Sequence, residues 1–128
     1  MKFTILGQAA SKNRRRNVTN SRTGRPMSIK SPEAMAYFHS VALQMPRGLV
    51  PFEVPVFVTI HLYYTSERPD LEESVLLDAM QSTYIGSGKT KRLVRAGAYA
   101  NDKFVRRKLV EFHVDAENPR AEVTVEAL

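Results

Sequence analysis

The sequence predicts an α+β fold: a small mixed or largely antiparallel sheet of about four strands, with two helices on one face. Three observations predict it. Four short segments are apolar or alternate apolar and polar residues, as strands do. Two other segments repeat apolar residues at helical spacing. With 128 residues, 43% of them hydrophobic, the chain has the size and composition of a single domain, residues 1–128.

The first half of the chain predicts a strand, a loop and a helix. The apolar run KFTILG predicts a strand that ends at Gly7. Residues 8–30 are polar and basic, and predict a loop with a turn near RTGRP. A helix follows in SPEAMAYFHSVALQM, with Ser31 as its N-cap, Pro32 at its first position and Glu33 in its first turn.

The second half predicts a strand, a helix and two more strands. VPVFVTIHLYYT alternates with period two, which predicts a strand. DLEESVLLDAMQ predicts a second helix, with Asp70 as its cap and with Glu72 and Glu73 in its first turn. KLVEFHVDA and AEVTVEAL alternate again on either side of the turn NPR, and predict two final strands joined like a hairpin.

The net charge is +6, and the charges are unevenly distributed along the chain. Residues 12–30 hold seven Lys or Arg and no acid, and residues 89–108 hold eight with Asp102 as the one acid. Residues 67–78 hold five acids against one arginine. Dense basic segments of this kind bind phosphate, because each neutralised phosphate releases a counterion. The distribution favours a nucleic-acid partner over a merely solubilising surface.

Several function classes are disfavoured by composition. The chain has no cysteine, so a disulfide, a thiolate zinc site and a thiol nucleophile are excluded. No apolar run approaches the roughly 20 residues of a membrane span, and neither basic segment has the pattern of an amphipathic membrane-surface helix. We therefore expect a cytoplasmic protein without a membrane partner.

The stretch YIGSGKT raises the question of a nucleotide site. A phosphate-binding loop reads G-x-x-x-x-G-K-[ST] between a strand and a helix, and Gly88, Lys89 and Thr90 match its end. The first glycine of that pattern is replaced by Thr83, and the preceding residues predict a helix instead of a strand. The alternative is a basic loop without a nucleotide cofactor, and that interpretation is the favoured one.

The histidines and the acids are the candidates for chemistry. His39, His61 and His113 show no metal-ligand spacing and are expected to be solvated. The acids of the second helix and Asp102 could gather around a hard cation such as Mg²⁺, which removes their mutual repulsion. Acids in the first turn of a helix also favour its macrodipole, so a purely structural role stays open.

Taken together, these motifs resemble one family. FTILGQAASKNRRR followed by GRPMSIKSPEAMAYFHSVALQ resembles the strand, basic loop and helix that open the RusA-type Holliday junction resolvases. RPDLEESVLLDAMQ is similar to that family's acidic helix, which usually reads P-D-x-D-N followed by a lysine and D-A-L. YANDKFVRRKLVEFHVDAENPRAEVTVE resembles its closing segment, in which an acidic pair precedes two strands.

The resemblance implies a homodimeric endonuclease, of bacterial or phage origin, that nicks branched DNA at four-way junctions with Mg²⁺, or Mn²⁺, as cofactor. It carries the catalytic acids over to Asp70, Glu72 and Asp102. In the mechanism that we expect, Asp70 and Asp102, with Glu72 or Glu73, hold the metal. Asp78 matches the aspartate of D-A-L, for which a structural role is expected. The residues assigned to the DNA backbone are Lys12, Arg14, Arg15, Arg16, Lys89, Lys91, Arg92 and Arg95.

The chain also departs from the family pattern. The second aspartate is Glu72, the usual asparagine is Glu73, the lysine one turn later is missing, and residues 84–98 resemble an insertion. Lys12 or Lys103 could supply the missing positive charge. Three alternatives therefore stay open: a catalytically impaired junction-binding protein of the same fold, an RNA-binding module and an ATP-binding protein.

Overall fold

The computed structural model describes residues 1–11, 15–19, 21–69 and 71–128, and it describes residues 15–19 and 26–30 by their backbone alone. The predicted α+β class is confirmed. Two short 3-10 turns, Gly88–Thr90 and Asp102–Phe104, lie between regular elements. In the described residues those elements are, in order, β1 (Lys2–Leu6), β2 (Arg15–Thr19), β3 (Pro26–Lys30), α1 (Pro32–Gln44), β4 (Val56–Tyr64), α2 (Ser74–Met80), β5 (Thr83–Ile85), β6 (Arg92–Arg95), β7 (Val105–Val114) and β8 (Arg120–Ala127).

The main sheet has four strands in the order β1-β8-β4-β7. Strand β8 runs antiparallel to both β1 and β4, whereas β7 runs parallel to β4. The sheet is therefore mixed, as predicted. Two separate antiparallel pairs, β2–β3 and β5–β6, lie outside this sheet.

The last two strands do not form the predicted hairpin, because β4 lies between them. Their connection passes over the end of β4, where the Asp115 N–H donates to the Tyr64 carbonyl at 2.7 Å. The burial of its side chains is consistent with the central position of β4 in the sheet. Every second residue of β4 from Val56 to Tyr64 is buried, whereas most of β7 is exposed, so β7 forms an edge.

The core lies between the sheet and the two helices. Alternate residues of β4 and β8 face it, and α1 contributes Ala34, Tyr37 and Val41. Burying one large apolar side chain contributes about 1.5–3 kcal/mol, so this layer fixes both helices on one face. The predicted start of α1 is confirmed, since the Ser31 hydroxyl accepts a 3.2 Å hydrogen bond from the Ala34 N–H. None of the helices in the described part of the chain has both the length and the apolarity to span a bilayer.

Helix α2 begins at Ser74, later than predicted, so the prediction that Glu72 and Glu73 lie in its first turn is wrong. Glu73 occupies the N-cap position without a side-chain cap bond. Both carboxylates bind other groups instead: Glu72 accepts from the Ser11 hydroxyl at 3.1 Å, and Glu73 pairs with Lys108 at 2.7 Å. The predicted cap, Asp70, lies outside the described residues.

Two hairpins form where the sequence predicts loops. Strands β2 and β3 pair within residues 8–30, and β5 and β6 pair across residues 83–95, which overlap the apparent insertion at residues 84–98. The stretch YIGSGKT joins β5 to β6 through a 3-10 turn, so it lacks the strand-to-helix context of a phosphate-binding loop. Gly86 is required at this turn, because its φ is +79° and a Cβ would lie 2.5 Å from the Thr90 carbonyl oxygen.

Candidate functional site

Two aspartates share a cleft between α2 and the start of β7, which we call the carboxylate cleft. Asp78 and Asp102 line it, and its volume is about 380 Å³. Three basic residues, Arg106, Arg107 and Lys108, line the same cleft from β7. The cleft is thus lined by both carboxylates and cations.

The two aspartates come from different elements that are tied together. Asp78 lies on α2, and Asp102 opens the 3-10 turn that precedes β7. Asn101 caps that turn by accepting from the Lys103 N–H at 2.9 Å. The Asp102 N–H donates to the side-chain oxygen of Gln81, the residue after α2, at 3.2 Å. The turn that carries Asp102 is therefore hydrogen-bonded to the end of the helix that carries Asp78.

A bulge in β7 shapes the basic wall of the cleft. Val56 pairs with Val105 but Phe57 pairs with Arg107, so Arg106 is an extra residue in the strand. The Arg106 Nε donates to the Lys103 carbonyl at 3.0 Å, which fastens the bulge to the preceding turn. Bulges redirect side chains next to functional sites, and this one brings consecutive basic residues to one cleft.

Both aspartates affect the pKa of the same residue, Tyr99. This tyrosine is fully buried, and its hydroxyl donates to the Leu77 carbonyl at 2.6 Å. Burial raises the pKa of Tyr99, and the negative charges of Asp102 and Asp78 raise it further. Both carboxylates therefore act on the same buried group.

The other predicted acids do not converge on this point. Glu72 and Glu73 bind Ser11 and Lys108, and Asp70 lies outside the described residues. Among the described residues, Glu72, Glu73 and Asp102 do not form a group of three whose carboxylate oxygens lie within 4.8 Å of one another. The sequence analysis gave Asp78 a structural role. It could not predict that Asp78 and Asp102 line the same cleft, because this arrangement depends on the path of residues 81–102.

A larger cleft of about 970 Å³, which we call the aromatic cleft, shares Asp78 with the carboxylate cleft. Three rings, Phe38, Tyr84 and Phe104, line it. Lys91 lines it too, with its Nζ 4.5 Å from the centre of the Tyr84 ring. Flat rings next to ammonium groups suit nucleobases next to phosphates.

The predicted DNA-binding residues fall into three groups. Lys89, Lys91 and Arg92 are exposed on the β5–β6 hairpin. Arg95 is different, because its guanidinium donates to the carbonyl oxygens of Ala79 at 3.0 Å and Gln81 at 3.3 Å. This group fastens the hairpin to the end of α2. The remaining residues lie outside the described residues or have only their backbone described: Lys12, Arg14, Arg15 and Arg16.

A second cluster, on the sheet face opposite the helices, was missed by sequence reasoning. His61 on β4 and His113 on β7 place Nδ1 and Nε2 3.0 Å apart, and Glu111 lies beside both. These three residues could hold a metal ion. The two histidines are 52 positions apart, so no local spacing could reveal the pair. The signal that was present is the period-two pattern, which puts Glu111 and His113 on one face of a strand.

Neither a scan against protein-family models nor a search of curated proteins finds a match for this chain.

Proposed function

We propose that this chain is a Mg²⁺-dependent endonuclease that acts as a homodimer and nicks branched DNA, including four-way junctions. The observation that carries the proposal is the carboxylate cleft, in which Asp78 and Asp102 lie beside three basic residues of β7. Metal-dependent cleavage of a phosphodiester uses both signs of charge at one place. Cations hold the phosphate, while carboxylates hold the metal.

The donor chemistry of the cleft fits Mg²⁺. This ion prefers carboxylate oxygens and keeps several of its waters, and Mn²⁺ accepts the same ligands. Asp78 and Asp102 would hold the ion, and Asp70 stays a predicted further ligand outside the described residues. Bound there, the ion would act as a Lewis acid on the phosphate and would lower the pKa of a bound water.

The residues around the cleft would position the DNA. Arg106 and Arg107 are exposed, so they can neutralise phosphates next to the two aspartates, whereas Lys108 is already paired with Glu73. The exposed lysines of the β5–β6 hairpin extend this basic surface. At a branch point, stacking between base pairs is interrupted, and an unstacked base would pack against the rings of the aromatic cleft. Such base–aromatic stacking contributes about 1–3 kcal/mol per base.

One observation favours a second candidate, a protein that binds junctions without cutting them. Glu73 is paired with Lys108, and Glu72 accepts a hydrogen bond from Ser11. Two of the acids that the sequence predicts as metal ligands are thus held by protein groups. Among the described residues, Asp78 and Asp102 would then be the remaining ligands of the ion, with Asp70 as the predicted third.

The test is cleavage of a labelled synthetic four-way junction in Mg²⁺, with binding measured separately in Ca²⁺. We expect paired nicks by the wild type, and their loss in Asp102→Asn and Asp78→Asn with binding retained. Glu117→Gln is the matched control, because it removes one exposed carboxylate from the connection at the other end of β7. Binding without nicking in either Mg²⁺ or Mn²⁺ would select the second candidate. Preference for RNA of the same sequence would overturn both.

A further inference from the structure

We propose that His61, Glu111 and His113 form a binding site for a transition-metal ion of the Zn²⁺ class. This site lies on the open face of the sheet and goes beyond the proposed function, because it uses none of the residues of the carboxylate cleft. Glu111 lies opposite His61 in the parallel pair of β4 and β7, and His113 follows two residues later on the same face. The strand register alone thus brings the three side chains together.

The distances fit one small ion. The ligand atoms form a triangle with sides of 3.0 Å between the two histidine nitrogens, and 3.5 Å and 3.8 Å from these nitrogens to the Glu111 oxygen. Tetrahedral Zn²⁺ with ligands at about 2.0–2.1 Å from the metal separates those ligands by about 3.3 Å. The observed triangle brackets this value. An ion above it would keep a fourth position open to water.

The ligand types select the metal class. Two imidazoles and one carboxylate are the ligands that Zn²⁺ accepts in open sites, and imidazole nitrogen favours Zn²⁺ and Cu²⁺ over Mg²⁺. The two histidine side chains are 34% and 35% exposed, so the ion can enter from solvent while the rings stay partly ordered. The site should therefore discriminate against the Mg²⁺ that the carboxylate cleft would take.

Neighbouring groups hold the ring of His113 in place. It stacks on Tyr63, with ring centres 4.7 Å apart and an angle of 22°. The Tyr63 hydroxyl donates to Glu122 at 3.2 Å, and the Arg120 guanidinium lies 3.7 Å above the Tyr63 ring. A ligand that is oriented before the metal arrives loses less freedom on binding. The ion would also tie the edge strand β7 to the central strand β4.

The experiment is a calorimetric titration of the chelator-treated full chain with ZnCl₂ alone, repeated in excess MgCl₂. We expect one saturable site per chain that Mg²⁺ does not block. His61→Ala and His113→Ala should each lower the affinity at least 100-fold, and Glu111→Gln at least 10-fold. His39→Ala is the matched control, because it removes an exposed histidine from α1 and should change nothing. Unchanged affinity in both His61→Ala and His113→Ala would overturn the site.

A second measurement on the wild type guards against misfolded variants. In NMR spectra of the histidine rings, Zn²⁺ should shift or broaden the signals of His61 and His113 and leave His39 unchanged. Equal effects on all three rings, or no effect below millimolar Zn²⁺, would contradict the proposal. Neither measurement uses DNA or cleavage. A negative result would therefore contradict the metal site without contradicting the nuclease proposal.

Discussion

The guanidinium of Arg95 donates a 3.0 Å hydrogen bond to the carbonyl oxygen of Ala79, in the last turn of α2. The carbonyl groups at the end of a helix have no partner inside the helix, and they carry the negative end of its dipole. Arg95 therefore satisfies part of that end while it anchors strand β6. Burial also lowers the pKa of Arg95, because it removes part of the water around the guanidinium.

We expect Arg95→Ala to lower the free energy of unfolding by about 1–3 kcal/mol, because it leaves partly buried carbonyls without their donor. Urea denaturation would measure it. Lys89→Ala is the matched control on the same hairpin, since its side chain is exposed, and it should change stability by less than about 0.5 kcal/mol. Equal losses in the two variants would show that Arg95 is not an anchor.

The exposed lysines of the same hairpin should act on DNA instead. We expect the double variant Lys89→Ala with Lys91→Ala to weaken junction binding and to reduce the slope of log affinity against log salt by roughly 2, at about 0.9 per phosphate contact. The charge-matched control is Lys2→Ala with Arg47→Ala, because both side chains are exposed elsewhere on the surface. Fluorescence anisotropy over a salt series would measure both slopes. An unchanged slope in the first variant would remove the hairpin from the DNA interface.

The sequence was sufficient to predict the helices and strands whose residues follow a regular pattern. Helix α1 begins at the Ser31 cap with Pro32 in its first position, and β4 shows the predicted alternation in burial. These features depend on local interactions, which neighbouring residues reveal. Helix α2 was predicted too long at its start. Glu73 lies at its N-cap and pairs with Lys108, 35 positions away, a contact that the local sequence does not reveal.

Features set by long-range register could not be read from the sequence. The predicted pairing of the last two strands was wrong, since the burial of β4 gives it the central place between them. His61 and His113 meet only because β7 pairs with β4 in one register, and a shift by one residue would turn His113 to the other face. The two separate hairpins were missed for a related reason: their strands are only three to five residues long, and their pairing shows only in three dimensions.

The pair of Asp115 and Arg120 predicts a dependence of stability on pH. The Arg120 guanidinium, 2.8 Å away, and the N–H groups of Asn118 and Glu117 hold the pKa of Asp115 below its ordinary value of 3.8. A carboxylate whose pKa is lower in the folded state stabilises the fold above the ordinary value. This contribution is lost as the pH falls through the folded pKa.

We therefore expect Asp115→Asn to be less stable than the wild type at pH 7, and the difference to shrink as the pH falls below about 4. Urea denaturation at a series of pH values would measure it. Glu117→Gln serves as the control, because Glu117 is exposed in the same connection. A difference that stays constant down to pH 2 would mean that the charge of Asp115 does not contribute.

Gly97 should be intolerant of a side chain for a steric reason. A Cβ at this position would lie 2.1 Å from the Met80 carbonyl oxygen and 2.6 Å from the carbonyl carbon of Gln81. Both contacts are with backbone, so neither can move like the end of a flexible side chain. The Gly97 N–H also donates to the buried Ser82 hydroxyl at 2.9 Å, which fixes this close approach.

We expect Gly97→Ala to lower the free energy of unfolding by about 1–3 kcal/mol, the usual cost of overpacking. Gly48→Ala is the comparison, because its φ of +72° disfavours alanine although nothing lies within 4 Å of the added Cβ. The segment after Gly97 hydrogen-bonds to the end of α2 and then leads to Asp102. Gly97→Ala should therefore also reduce cleavage per folded molecule, whereas Gly48→Ala should not. Equal activity of the two folded variants would mean that the Asp102 turn is positioned independently of this contact.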